Sequence, residues 1–400
     1  MTTIPLPSVA PCAPMPPGTP CTAADVAAAA RALEAQGRRI LHLEVGEPDF
    51  ATPAHVVAAA EAAMRDGQTR YAPPAGIPEL RAAVAAHVAE RGVMAMPEQV
   101  VVSPGAKLLI VCTALAALRP GNEVLVPDPG YPAYAEAARL AGARVRHYPL
   151  REDGGVDAAA VAARVGPRTR MLVLNSPHNP TGGMLDEGAL HALAALAARH
   201  DLLVLADEIY ARLAFDDAHR SIAALPGMAA RTVLVDGFSK AYAMTGWRLA
   251  YGVLPPPLVP AVVRLLAATA SCAAPFVQRA GVAALAGPQN VVEVRVAELC
   301  ARRDALVDAL NAVEGVHCPR PAGGLYVFPS VAGLLARTGG DEGALARALL
   351  EREGVACVPG TGFGRGGAGR LRFALTAPAA VLAAVGEKVR RAAALGSLAP

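Results

Sequence analysis

The chain has 400 residues, 54% hydrophobic and 18% charged, which excludes a disordered polyelectrolyte and supplies enough apolar residues for a large core. Lysine and arginine total 37 against 34 acidic residues, so a net charge of +3 leaves neither the basic stripe of a nucleic-acid binder nor an acidic tail. Seven scattered cysteines, an odd number with no C-x-x-C pair, are expected to be reduced thiols of a cytosolic protein rather than a disulfide framework or a metal site.

Residues 1–20 hold seven prolines and no charged side chain. They are expected to form a surface arm, because a secretory leader needs a basic start and an apolar stretch. No apolar run reaches the roughly 18 residues of a membrane span. From 100 to 254 the pattern predicts strands at Val100–Ser103, Glu123–Val126, Arg144–Leu150, Met171–Ser176, Leu202–Ala206, Thr232–Asp236 and Arg248–Leu254. Most are short Val/Leu runs without polar alternation, as strands buried on both faces read. Ala/Leu-rich segments of helical length lie between them, such as Leu108–Leu118 and Leu185–Ala198. This alternation predicts an α/β fold with a mostly parallel sheet flanked by helices. A long helix is expected over 289–313, with Val294, Leu299, Leu306 and Leu310 near one face. A smaller α+β domain should follow, with strands at Leu325–Phe328 and Leu371–Leu375 and helices at Asp341–Glu351 and Pro378–Ala393.

Polar residues fall where a parallel sheet binds its ligands, beyond the carboxyl ends of the strands. The clusters are Ser103–Lys107, the Asp128–Tyr134 turn, Asn175–Gly182, Asp207–Tyr210 and Gly237–Lys240. Asp207 closes an apolar strand, and an unpaired buried charge there is costly, so it needs a cation or an N–H partner. By itself it reads equally as half of a structural ion pair. Lys240 follows the strand at Thr232; it is one of only three lysines, with Lys107 and Lys388. A lysine desolvated beside another cation can form a Schiff base, although a surface lysine reads the same way in isolation. Ser103–Lys107 ends a strand and opens a helix, which makes either an anion site or an ordinary turn.

Taken together, five segments resemble the class I/II aminotransferases, pyridoxal-phosphate enzymes of fold type I. They are Leu43–Phe50, Tyr71–Arg81, Asn175–Gly182, Asp207–Tyr210 and Gly237–Arg248. The order and spacing hold from about Ala27 to about Arg390. The resemblance implies a seven-stranded, mostly parallel sheet in a large cofactor domain (51–289). The same resemblance implies a small α+β domain built from 21–50 and 290–400, with 1–20 as the arm. It implies that Lys240 forms the Schiff base and moves the proton, that Asp207 pairs with the pyridine nitrogen, and that Tyr210 and Asn179 bond the ring's phenolic oxygen. Tyr131 would stack on the ring. Gly105, Ala106, Lys107, Ser239 and Arg248 would hold the phosphate, with Gly237 standing where many relatives carry a serine. Tyr71 would reach the phosphate from a second subunit, making the protein a homodimer. Arg372 would clamp the substrate α-carboxylate and Gly46 would approach it through its backbone.

The expected reaction moves an amino group between an amino acid and a 2-oxo acid. A β-lyase, aldolase, decarboxylase or racemase of the same fold is the alternative. Relatives specialised for aspartate often draw a second cation from the neighbouring subunit, in the stretch matching Leu265–Gln278, which here has no Lys or Arg. Neutral or apolar donors are therefore expected, with Tyr326 and Phe363 as candidate walls. Gly362-x-Gly364-x-x-Gly367 matches a dinucleotide fingerprint but precedes a strand, so it is expected to be a loop. His178 is expected to serve its turn, Cys112 and Cys357 to be core thiols, and Arg302–Arg303 to lie on a solvated helix face.

Overall fold

The computed structural model describes residues 21–394; the expected arm at 1–20 lies outside them. After a short strand β1 (Leu41–His42), seven strands follow in chain order. They are β2 (Val100–Ser103), β3 (Glu123–Asp128), β4 (Arg144–Pro149), β5 (Thr169–Asn175), β6 (Leu203–Asp207), β7 (Thr232–Gly237) and β8 (Ala250–Val253). They form one sheet in the order β2-β8-β7-β6-β5-β3-β4. The pairs β3/β4, β3/β5, β5/β6 and β6/β7 are parallel, whereas β8 runs antiparallel to both β2 and β7. The carboxyl ends of the six like-directed strands therefore share one edge with the start of β8.

Alternate residues of the strands enter cores on opposite faces. Val124, Val126, Val233 and Val235 pack with the helices Ala106–Ala117, Ala133–Leu140 and Val259–Ala270. On the other face, Leu234 and Tyr251 pack with the helices at Pro78 and Pro275, and Leu125, Leu172 and Leu174 with the helix Glu187–Arg199. Burial on both sides is why these strands carry unbroken Val/Leu runs. The last strand begins two residues later than its pattern predicts. Arg248 has φ of +57°, and this left-handed turn delays entry into the ladder until Ala250.

Beyond the sheet, Asn290–Asn311 is one helix; its Leu299, Leu306 and Leu310 join a separate core with Leu43 and residues from Val313 to Ala393. Strands β9 (Tyr326–Val327), β10 (Val355–Ala356), β11 (Val358–Pro359) and β12 (Leu371–Ala374) lie in this region. β10 pairs with β1, so the N-terminal segment is stitched to the C-terminal one.

Several expectations need correction. Val294 is exposed, because the helix turns that position to the surface while Leu299 and Leu306 face the core. Arg302 and Arg303 are buried and paired with Asp49, Glu298, Asp216 and Asp304, not solvated. Their guanidinium groups lie over the rings of Phe50 and Phe215. The final helix is broken into Ala379–Leu382 and Val385–Ala394, with Pro378 at the cap rather than inside.

Candidate active site

At the shared strand edge lies a cavity of about 420 Å³. Five strand-end segments contribute to it, as does Gly46 from the N-terminal segment and Arg372 and Tyr326 from the C-terminal core. Asp207, Tyr210, Lys240, Ser239, Asn179 and Tyr131 all line it, and so do Ala106, Lys107 and Arg248. Residues spread over more than 300 positions thus meet because the parallel ladder puts its loops on one side.

Asp207 ends β6 and is buried. Its Oδ2 accepts from the Tyr134 hydroxyl at 2.8 Å and its Oδ1 from the Ile209 N–H at 3.2 Å, so among the described residues it has no cationic partner. Burial pushes the carboxyl up to about 6, against the pull of those two donors. Asn175 secures the strand end: its Nδ2 donates to the Asp207 carbonyl at 2.9 Å and its Oδ1 accepts from the Asn179 N–H at 2.8 Å.

Lys240 lies just past β7, and its Nζ donates to the Gly46 carbonyl at 2.6 Å. Burial pushes the ammonium below the usual lysine range, and the Arg372 and Arg248 guanidinium groups push the same way, while Tyr326 and Glu47 oppose them. A lysine poised toward its neutral amine is a nucleophile for a carbonyl.

Gly105 caps the helix Ala106–Ala117 with φ of +91°. A Cβ there would collide with the Arg248 guanidinium, so glycine both permits the turn and lets the arginine approach. The first N–H groups of that helix and Arg248 together form an anion cradle. Lys107 projects over the Tyr131 ring, 5.7 Å from its centroid.

Arg372 sits in β12, is buried, and lies between the rings of Tyr326 and Phe363 at 4.1 and 4.7 Å. Its Nη1 donates to Asn179 Oδ1 at 3.1 Å and its Nη2 to the Glu44 carbonyl, while its Nε has no partner among the described residues. A guanidinium bonded only to neutral oxygens is ready for a carboxylate fork.

Tyr71 does not reach this cavity within its own chain: it is 88% exposed. His178 bonds Thr181 Oγ1 at 2.9 Å inside its turn, and burial pushes its imidazole down to about 3. The Gly362–Gly367 stretch forms two short 3₁₀ turns, and no long helix opens there.

Sequence reasoning missed Tyr134 as the partner of Asp207, although it closes a turn already singled out. It also missed a buried cluster beneath the site. Arg91 pairs with Asp236 at 2.9 Å and Glu208 at 3.5 Å, with Tyr251 and Ser221 bonding the two acids. Arg91 lies 145 residues from Asp236 in the chain, and no local pattern links them.

The cavity fits pyridoxal phosphate on its own chemistry. Asp207 is a buried carboxylate lacking a cation, which a protonated pyridine supplies. Lys240 is an amine suited to an aldehyde, and the Gly105–Arg248 cradle suits a phosphate. Comparison with known proteins agrees in kind. The model of the family "Aminotransferase class I and II" matches residues 38–386. An aspartate aminotransferase of Musicola paradisiaca is 38% identical over 338 residues, covering 83% of this chain and 84% of that one. An arginine–pyruvate transaminase of Pseudomonas aeruginosa is 39% identical over 343 residues, 85% of this chain and 86% of its own. The structure of Thermus thermophilus aspartate aminotransferase with maleate superposes with a TM-score of 0.87 at 36% identity, covering 94% of this chain and 97% of that chain.

Proposed function

The chain belongs to the class I and II aminotransferases, pyridoxal-phosphate enzymes, and from that premise we propose how its own residues divide the work. The observation that carries the assignment is the pairing, in one cavity, of a buried cation-free Asp207 with a Lys240 pushed toward its neutral amine. Bound pyridoxal phosphate supplies the carbonyl that takes the amino group and the ring that accepts the electron pair from the substrate Cα. Asp207 holds the ring nitrogen's proton. Tyr210 and Asn179 bond the ring's oxygen, and Tyr131 packs on the ring face. Gly105, Ala106, Lys107, Ser239 and Arg248 hold the phosphate, joined by Tyr71 from a second copy of the chain. Arg372 fixes the α-carboxylate beside Gly46, which leaves the Lys240 amine free to carry the proton to and from Cα. In this division, 51–289 is the cofactor domain, and 21–50 with 290–394 form the small domain.

For the donor side chain we hold to a neutral or apolar group. Val45, Ile110 and Ile209 line the cavity, and the stretch 265–278 carries no Lys or Arg. A second reading has one specific observation behind it. In that reading Lys107 is not needed by the phosphate: it lines the same cavity with its ammonium over Tyr131 and no carboxylate partner among the described residues, which suits the second carboxylate of a dicarboxylic donor. The aspartate aminotransferases among the relatives favour that reading.

One assay tests both levels. The purified protein should show the visible band of bound cofactor, and single amino acids should convert it to the amine form. A panel of donors with one 2-oxo acid, compared by kcat/KM, should place leucine, methionine, alanine or phenylalanine ahead of aspartate. Aspartate ahead by tenfold or more would overturn the neutral-donor reading, and loss of that advantage in Lys107→Gln would assign the second cation to Lys107.

A further inference from the structure

Tyr326 sits where the carboxylate clamp meets the cofactor-side groups. Its ring carries the Arg372 guanidinium at 4.1 Å, and its hydroxyl oxygen lies 3.2 Å from that of Tyr210. The backbone of Gly46 passes so close that a Cβ on residue 46 would collide with the Tyr326 hydroxyl, and the Gly46 carbonyl accepts from Lys240. Tyr326 and Tyr210 are each 4% exposed and meet edge to face, with ring centroids 5.9 Å apart.

A phenol has one proton to donate. If Tyr210 gives its proton to Tyr326, it has none to direct into the cavity. If Tyr326 is the donor, the Tyr210 proton is free to turn toward the cofactor. The charges around the pair favour the second arrangement. Although burial works to raise the Tyr326 hydroxyl, Arg372 and Lys240 hold it below the usual phenol range, whereas burial and the neighbouring Tyr326 push Tyr210 well above it. The stronger acid donates to the oxygen of the weaker one.

We propose that Tyr326 is a positioning residue of this aminotransferase. Its hydroxyl donates to Tyr210 and so turns the Tyr210 O–H toward the phenolic oxygen of bound pyridoxal phosphate, while its ring holds Arg372 for the substrate carboxylate. The proposal rests on the role given to Tyr210 above. No covalent step is involved, only the direction of two O–H bonds. A Tyr210 that itself accepts a hydrogen bond is a better donor, because chained hydrogen bonds polarise one another. It then favours the deprotonated form of the cofactor–lysine chromophore, in which the ring oxygen's negative charge is no longer offset by a proton on the lysine nitrogen.

The experiment is a pH titration of the visible absorbance of the cofactor-loaded enzyme. Tyr326→Phe keeps the ring under Arg372 and removes only the hydroxyl. Its midpoint should rise by about half to one pH unit, the scale of one lost hydrogen bond to a charged system. Its KM for the amino donor should stay within about threefold, since the platform for Arg372 remains. In a Tyr210→Phe background the same substitution should add no further shift, because the effect passes through Tyr210. An unmoved midpoint in Tyr326→Phe would overturn the proposal, as would an equal shift in the Tyr210→Phe background. Should Tyr326→Phe not fold, Tyr326→Leu carries the same test, with the same upward shift and a raised KM in addition. Amino-acid-driven conversion of the parent enzyme's band is scored separately, so failure here leaves the aminotransferase reading standing.

Discussion

Asp207 carries consequences for both catalysis and stability, because its carboxyl is buried and, among the described residues, its partners are the Tyr134 hydroxyl and the Ile209 N–H rather than a cation. Asp207→Asn should keep the Schiff base with Lys240 yet lose at least roughly 10²-fold in kcat, the scale of removing a key electrostatic group. Activity within a few-fold of the parent would reduce Asp207 to a structural role. The same group leaves a mark on the cofactor-free protein. A carboxyl whose folded midpoint is raised from 3.8 to about 6 holds its proton more tightly when folded. Its contribution to stability is therefore intact below about pH 4 and is lost as the pH climbs to about 6, roughly 3 kcal/mol in all. Denaturant unfolding of the cofactor-free protein should show that decline, and Asp207→Asn should flatten it. Lys240→Ala, by contrast, should abolish turnover while the protein folds and binds some cofactor non-covalently; measurable parent-level turnover by that variant would remove Lys240 from the mechanism.

Strands β6 and β7 are held at their carboxyl ends by the Arg91 cluster. Glu208 follows Asp207 directly and Asp236 precedes Lys240 by four residues, so one arginine steadies the segments that present both groups. Burial pushes both carboxyls up and Arg91 pulls them back. Arg91→Leu strands two buried acids and should cost about 3–5 kcal/mol of unfolding free energy. Adding Asp236→Asn and Glu208→Gln should restore most of it, since the lost term is unpaired charge rather than packing. If the triple variant is as unstable as the single one, the arginine's stem, and not its charge, supports the strands.

On the scale of the whole molecule, Tyr71 is 88% exposed, and Met94 and Met96 are also largely uncovered. We propose a homodimer in which Tyr71 completes the partner's phosphate site. Mixing inactive Tyr71→Ala and Lys240→Ala proteins should then regenerate activity in hybrid dimers, which carry one intact site each. An equal mixture that exchanges freely should approach about a quarter of the parent's sites. A monomer with full activity in sedimentation would contradict the shared site.

The strand–helix alternation, the polar strand ends and the order of five motifs were legible along the chain, because each is a local pattern: apolar runs for strands buried on both faces, and polar loops where the ladder ends. Lys240 and Asp207 could be singled out for the same reason, each following an apolar strand, whereas Arg372 came only from the resemblance to a family. What the tertiary structure decided was partnership. Tyr134 against Asp207, Tyr326 against Tyr210, and Arg91 against Glu208 and Asp236 join residues 73, 116 and more than 100 positions apart. Arg302 and Arg303 read as a solvated face until Asp49 and Asp216 were brought against them. A charge's cost or benefit depends on what is folded next to it, and that distance is a property of the packed chain and not of any segment within it.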